Sequence, residues 1–133
     1  MVSARFDSHA RKPYPLFVGW LREQRPCWHI GLAPLRDTEF NRYKSELKWL
    51  EYTALGLAVV ASDRAAYAAV QDGVRGRLVA DNPAAWAEAI VELADWETAS
   101  EVARAAFAEV GRTRLLRHSL ERADTLLEFG SWQ

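Results

Sequence analysis

The fold of this chain is decided by the stretch FNRYKSELKWLEYTALGLAVVAS, residues 40–62. Its first part is charged and helical in character, and Gly56 stands where a helix commonly ends. The run LAVVAS then continues without alternating polar residues, which is typical of a parallel strand that is covered on both faces. We therefore predict one continuous helix over residues 40–55, followed by a buried strand.

The rest of the chain repeats this alternation of helix and strand. Asp81 or Asn82, followed by Pro83, marks a capped helix start, and Thr98 with Glu101 forms a possible capping box for the next helix. The predicted helices cover residues 14–24, 40–55, a short segment ending near Gly73, 83–94, 98–111 and a last one ending near 130, and the predicted strands lie at 28–33, 57–62 and 76–80. This order predicts an α/β fold around a parallel sheet. Three strands are fewer than the ~5–6 of a typical sheet, so the sheet is expected to lack strands or to need a partner at its edge.

Composition favours one domain of ordinary size over residues 1–133, with a frayed start over residues 1–12. The net charge of −1 argues against a nucleic-acid-binding protein that depends on bulk charge. A single cysteine excludes an internal disulfide framework and fits a reducing compartment, which predicts the cytoplasm. No apolar run reaches the ~20 residues that span a bilayer, and the polar start is not a secretory signal.

Ligands of parallel α/β sheets bind outside the carboxyl ends of the strands. Arg42, Lys44 and the amides of a helix N-terminus would favour a phosphate there. On one continuous helix, Lys44, Lys48 and Glu51 share a face; lysines suit a diphosphate, and a carboxylate can accept from two sugar hydroxyls. An alternative stays open, since Lys48 and Glu51 also fit a solvated ion pair worth only ~0.2–0.5 kcal/mol. The loops predicted to converge at this edge are residues 34–41, 62–67 and 81–83.

Lys48, Glu51, Tyr52 and the Gly56–VVAS segment, with Ala58 where proline is usual, resemble a motif of GT-B glycosyltransferases. The similarity is to the C-terminal nucleotide-sugar-binding domain of the large retaining group called family 4, and it extends over residues 14–111. It implies a Rossmann-like, three-layer parallel sheet that is part of such a C-terminal domain. It also implies transfer of a sugar from a nucleoside diphosphate sugar to an acceptor.

By position, the resemblance places Glu51 at the ribose and Lys48 near the diphosphate. Tyr43 stands where the family carries the first glutamate of its pair, and Asp37, Thr38 and Asn41 are the candidates for the sugar end. No metal and no other cofactor is implied. A full enzyme has two domains, so we expect the chain alone to be inactive, with a missing N-terminal acceptor domain or self-association. The rival hypothesis is a non-catalytic α/β binding or assembly module that kept the scaffold and lost the site.

Overall fold

The computed structural model describes residues 14–114 of the chain. The predicted frayed start and the predicted last helix lie outside these residues. The elements within them are helices α1 (Tyr14–Gln24), α2 (Glu39–Arg42), α3 (Leu47–Ala54), α4 (Pro83–Ala94) and α5 (Trp96–Thr113), strands β1 (Ile30–Ala33), β2 (Ala58–Ser62) and β3 (Arg77–Val79), and 3₁₀ turns at Arg25–Cys27 and Ala65–Tyr67.

The sheet has the order β1-β2-β3, and both pairings are parallel. All five residues of β2 are buried, because β2 is the central strand and has helices on both faces. One core cluster joins Val59 and Ala61 of β2 to Trp49 of α3, and the other joins Ala58 and Val60 to Leu93 of α4. α5 contributes to both clusters. The predicted α/β, Rossmann-like, three-layer arrangement is therefore confirmed.

The prediction of one helix over residues 40–55 is wrong, because the chain turns between α2 and α3. The Tyr43 and Lys44 amides donate to the carbonyls three residues before them, at 3.3 and 3.2 Å, which tightens and ends α2. The Leu50 amide donates to the Glu46 carbonyl, and this hydrogen bond marks the start of α3 as a separate helix. The Glu46 carboxylate accepts from Arg114 Nε at 2.9 Å, so a contact distant in sequence fixes the start of α3.

Some of the predicted helix ends and caps are confirmed, and others are wrong. Gly56 has φ of +77°, as its position after a helix predicted, and Asn82 Oδ1 accepts from the Ala85 amide to cap α4. The cap of α5 is Asp95, not the predicted Thr98 box, because the Asp95 carboxylate accepts from both the amide and the hydroxyl of Thr98. The predicted helix before Gly73 is only the 3₁₀ turn Ala65–Tyr67.

Candidate functional site

The three loops predicted to converge do meet at the carboxyl edge of the sheet. The buried Ser62 hydroxyl, at the end of β2, accepts from the Leu35 amide at 2.8 Å and so joins the loop after β1 to the loop after β2. Arg64 Nη2 lies 3.4 Å from Asp81 Oδ2, which adds the loop after β3. These two contacts give the edge a fixed shape made from segments that are far apart in sequence.

A cavity of about 250 Å³ lies between the first two loops. Its walls combine three guanidinium groups with two carboxylates and one amide, a set that suits anionic and hydroxyl-rich ligands. The lining residues are Leu35, Arg36, Asp37, Asn41, Arg42, Asp63, Arg64 and Ala65.

The residues predicted for the sugar end have different positions in this loop. Asp37 and Asn41 line the cavity, whereas Thr38 does not. The Thr38 hydroxyl instead accepts from the Asn41 amide and caps α2. The side chains of Asp37 and Asn41 are held by neighbours, since Asp37 pairs with Arg42 Nε at 3.2 Å and Asn41 Nδ2 donates to the Arg36 carbonyl at 2.9 Å. The loop is thus ordered by its own polar groups.

Lys48 and Glu51 form a salt bridge on the face of α3, with Nζ 2.9 Å from Oε2. The Glu51 side chain is only 16 % exposed, whereas that of Lys48 is 53 % exposed. Neither residue lines the 250 Å³ cavity. The interpretation of this pair as a simple ion pair therefore has a geometric basis, although partial burial of the carboxylate is unusual for a purely solvated pair.

Lys44 does not share the face of Lys48 and Glu51, which corrects the prediction made from a continuous helix. It lies in the turn after α2, and its ammonium stands 5.4 Å from the centroid of the Phe40 ring. A helix N-terminus does lie close to the predicted position, because α2 begins at Glu39 and is capped by Thr38. The separate start of α3 at Leu47 carries Glu46 at its cap.

Two tyrosines connect the α3 face to the sheet. The Tyr52 hydroxyl donates to the Leu32 carbonyl at 3.3 Å, and its ring lies against Gly31 of β1. Tyr67 lies in the loop after β2 and is buried. Burial raises the pKa of Tyr67, with a further increase from Tyr52 and an opposing effect of the Lys48 ammonium. Lys48 is therefore an electrostatic neighbour of the loop after β2.

Sequence reasoning missed Arg36 and Arg64. Arg64 Nε is buried and has no hydrogen-bond acceptor in the described part of the chain. A signal for it did exist, because Arg64 lies two residues beyond the end of β2, inside a loop that was predicted to reach the site.

Within residues 14–114, no group of three or more His, Cys, Asp or Glu side chains is arranged to hold a metal ion. Over the same residues, none of the helices has the length and apolar character needed to cross a membrane.

The family model described as "Glycosyl transferases group 1" matches residues 12–95. The chain belongs to this family. The matched region runs from the start of α1 to the end of α4 and contains every candidate site residue named above. Comparison with curated proteins and with solved structures gives no match. The resemblance inferred from the motif around Lys48 and Glu51 is confirmed at the level of the family.

Proposed function

We propose that this chain binds the nucleotide part of a nucleoside diphosphate sugar at the carboxyl edge of its sheet. It would act as the donor-binding portion of a glycosyltransferase that passes the sugar to an acceptor. The observation that supports this most directly is the meeting of three strand-end loops around a cavity lined by arginines, on a chain of the group 1 family.

In this proposal Glu51 accepts hydrogen bonds from the two ribose hydroxyls. Its partial burial favours such a role, because a carboxylate shielded from water binds hydroxyl donors with less competition. Lys48 would turn from Glu51 toward the diphosphate. An exposed lysine gives up such a pair at low cost, since surface salt bridges contribute about 0–1 kcal/mol.

The diphosphate would also draw on the arginines of the cavity. Arg64 contributes a buried Nε–H that lacks an acceptor among the described residues, and a phosphate oxygen would satisfy it. Asp37 and Asn41 line the same cavity and would contact the sugar, while Thr38 holds their loop in shape.

The chain alone is expected to bind a donor without transferring its sugar, because an acceptor site would have to come from another domain. Lys44 is the weakest of the candidates, because it stands over Phe40 and away from the Lys48–Glu51 pair. The single cysteine makes the cytoplasm our proposed location.

The test is a titration of the full chain with UDP and GDP, followed by calorimetry and by amide NMR shifts. Glu51→Gln should weaken binding by roughly 1–3 kcal/mol, about 5- to 150-fold in Kd, because an amide has only one acceptor atom for two hydroxyls. Wild type should bind the 2′-deoxy nucleotide more weakly than the ribonucleotide, and Glu51→Gln should barely distinguish them. Glu101→Gln, an exposed glutamate on α5, is the matched control and should bind like wild type.

Two results would count against the proposal. Equal affinity of the wild type for ribose and deoxyribose forms would remove Glu51 from the site. Absence of shifts in residues 35–67 at millimolar nucleotide would favour the rival, a non-catalytic module. That rival draws support from the exposed Tyr43 in place of the family's first glutamate.

A further inference from the structure

β1 is an edge strand of the sheet that residues 14–114 form. The Ala58 amide donates to the His29 carbonyl, and the parallel register pairs Ile30 with Ala58. Because alternate residues of a parallel strand bond to opposite sides, Gly31 and Ala33 face β2, whereas the N–H and C=O groups of Ile30 and Leu32 face away from it. No strand within residues 14–114 pairs with this outer side.

The β3 edge is protected. Leu78 is the residue of β3 whose amide faces outward, and that amide donates to Asp72 Oδ1 at 3.0 Å. Arg77 adds salt bridges to Asp72 and to Glu92. Capping groups and charges of this kind are the usual means of preventing edge pairing. The β1 edge instead carries Leu32, which is 44 % exposed.

We propose that β1 pairs antiparallel with β1 of a second copy of this chain, so that the two sheets become one continuous sheet. The two-fold axis would pass beside Gly31, and Ile30 would lie opposite the partner's Leu32. Each such pair exchanges both of its N–H···O=C bonds. The Leu32 carbonyl can accept a second bond beside the one from Tyr52, since a carbonyl has two lone pairs.

Self-complementarity is the reason for choosing a second copy as the partner. Both outward-facing residues are used, and each is paired with its counterpart, as an isologous contact requires. The residue at the axis would be in a non-hydrogen-bonded pair, where Cα atoms approach to about 4.5 Å.

Apolar surface beside the strand supports the same partner. A cavity of about 520 Å³ lies at the start of β1 and is lined by His29, Ile30, Leu93, Ala94 and Trp96. Trp96 is 67 % exposed and stacks edge-on with His29 at 5.0 Å. A neighbouring copy at β1 would cover part of this surface, which adds hydrophobic burial to the backbone bonds. The inference stands apart from donor binding, because none of the candidate site residues lies on β1.

The test measures the mass of the full chain by sedimentation and light scattering over a range of concentrations. A reductant is present throughout, because Cys27 is exposed and free. The expected result at high concentration is a species of twice the 15.1 kDa chain mass. Leu32→Pro removes the outward N–H without touching the bonds to β2 and should shift the protein to monomer, as should Leu32→Lys. Val91→Lys changes an exposed apolar residue on α4 and should leave the mass unchanged.

Hydrogen exchange of the wild type gives the residue-level result. The Ile30 and Leu32 amides should exchange slowly at concentrations where the dimer forms and quickly after dilution, whereas the Leu78 amide should not change. A monomer at all concentrations would overturn the proposal. A dimer in which the Ile30 and Leu32 amides exchange quickly would also overturn it, because the interface would then lie elsewhere. Slow exchange of these amides that does not depend on concentration would overturn it as well, because another part of the same chain would then cover the strand. These outcomes do not depend on whether the Leu32 variants fold.

Discussion

The two edges of the sheet differ in how their outward-facing backbone groups are treated. At β3, a carboxylate six residues away accepts from the strand's outward amide, and charged side chains surround it. At β1, the outward residues are apolar, and no strand lies beside them in residues 14–114. One edge of a short parallel sheet can thus be protected from pairing with a further strand while the other edge stays able to pair.

The β3 edge, called the closed edge below, is also joined to the core by a hydrogen bond from Trp49. The buried indole Nε1–H of this residue donates to the Arg75 carbonyl at 3.1 Å, in the turn before β3. The β1 edge, called the open edge below, has a weaker contact with the helix layer, the 3.3 Å hydrogen bond from the Tyr52 hydroxyl to the Leu32 carbonyl. The difference shows that an edge is protected by tertiary contacts as well as by its own residues.

The largest effect on stability is expected for the Trp49 contact at the closed edge. We expect Trp49→Ala to lower the free energy of unfolding by about 3–5 kcal/mol, because it leaves a large cavity and deprives the Arg75 carbonyl of its donor. Urea unfolding followed by circular dichroism measures this. Trp96→Ala removes an exposed tryptophan and should cost about 1 kcal/mol or less. Similar losses for both variants would mean that the Trp49 contact is not what holds the β3 edge.

A smaller effect is expected at the open edge. A Cβ at position 31 would lie 2.5 Å from Tyr52 Cγ, so Gly31→Ala should cost about 1–3 kcal/mol through displacement of that ring. Gly19→Ala has open space around it in α1 and is the matched control, with unchanged or slightly higher stability. A loss that persists in full when Tyr52 is also replaced by Ala would show that the ring is not the obstacle.

The smallest effect should come from opening the closed edge. Asp72→Ala removes the acceptor of the Leu78 amide, and we expect a cost of about 0.5–1.5 kcal/mol. The Leu78 amide should then exchange faster, and association through β3 should appear in light scattering. Asp72→Asn keeps an acceptor oxygen and should retain the protection of that amide. If Asp72→Ala leaves Leu78 exchange unchanged, the contrast between the two edges does not depend on this cap.

Part of the candidate site was accessible from the sequence. Strand ends of a parallel sheet are predictable from apolar runs, and this located the loops that hold Asp37, Asn41 and Arg64 at one edge. The face of α3 was predicted correctly for Lys48 and Glu51, whose salt bridge follows from their spacing. Lys44 was misplaced because the break after α2 is made by turn hydrogen bonds that helical spacing does not reveal.

The sequence by itself determined the alternation of helix and strand, the parallel sheet, the glycine end of α3 and the capped start of α4. These features depend on local preferences: apolar runs, the positive φ that glycine tolerates, and caps three residues from the amides they bind. The tertiary structure fixed the start of α3 and decided which sheet edge is closed. Glu46–Arg114 and Trp49–Arg75 are 68 and 26 residues apart, and such contacts form only once the core has brought distant segments together.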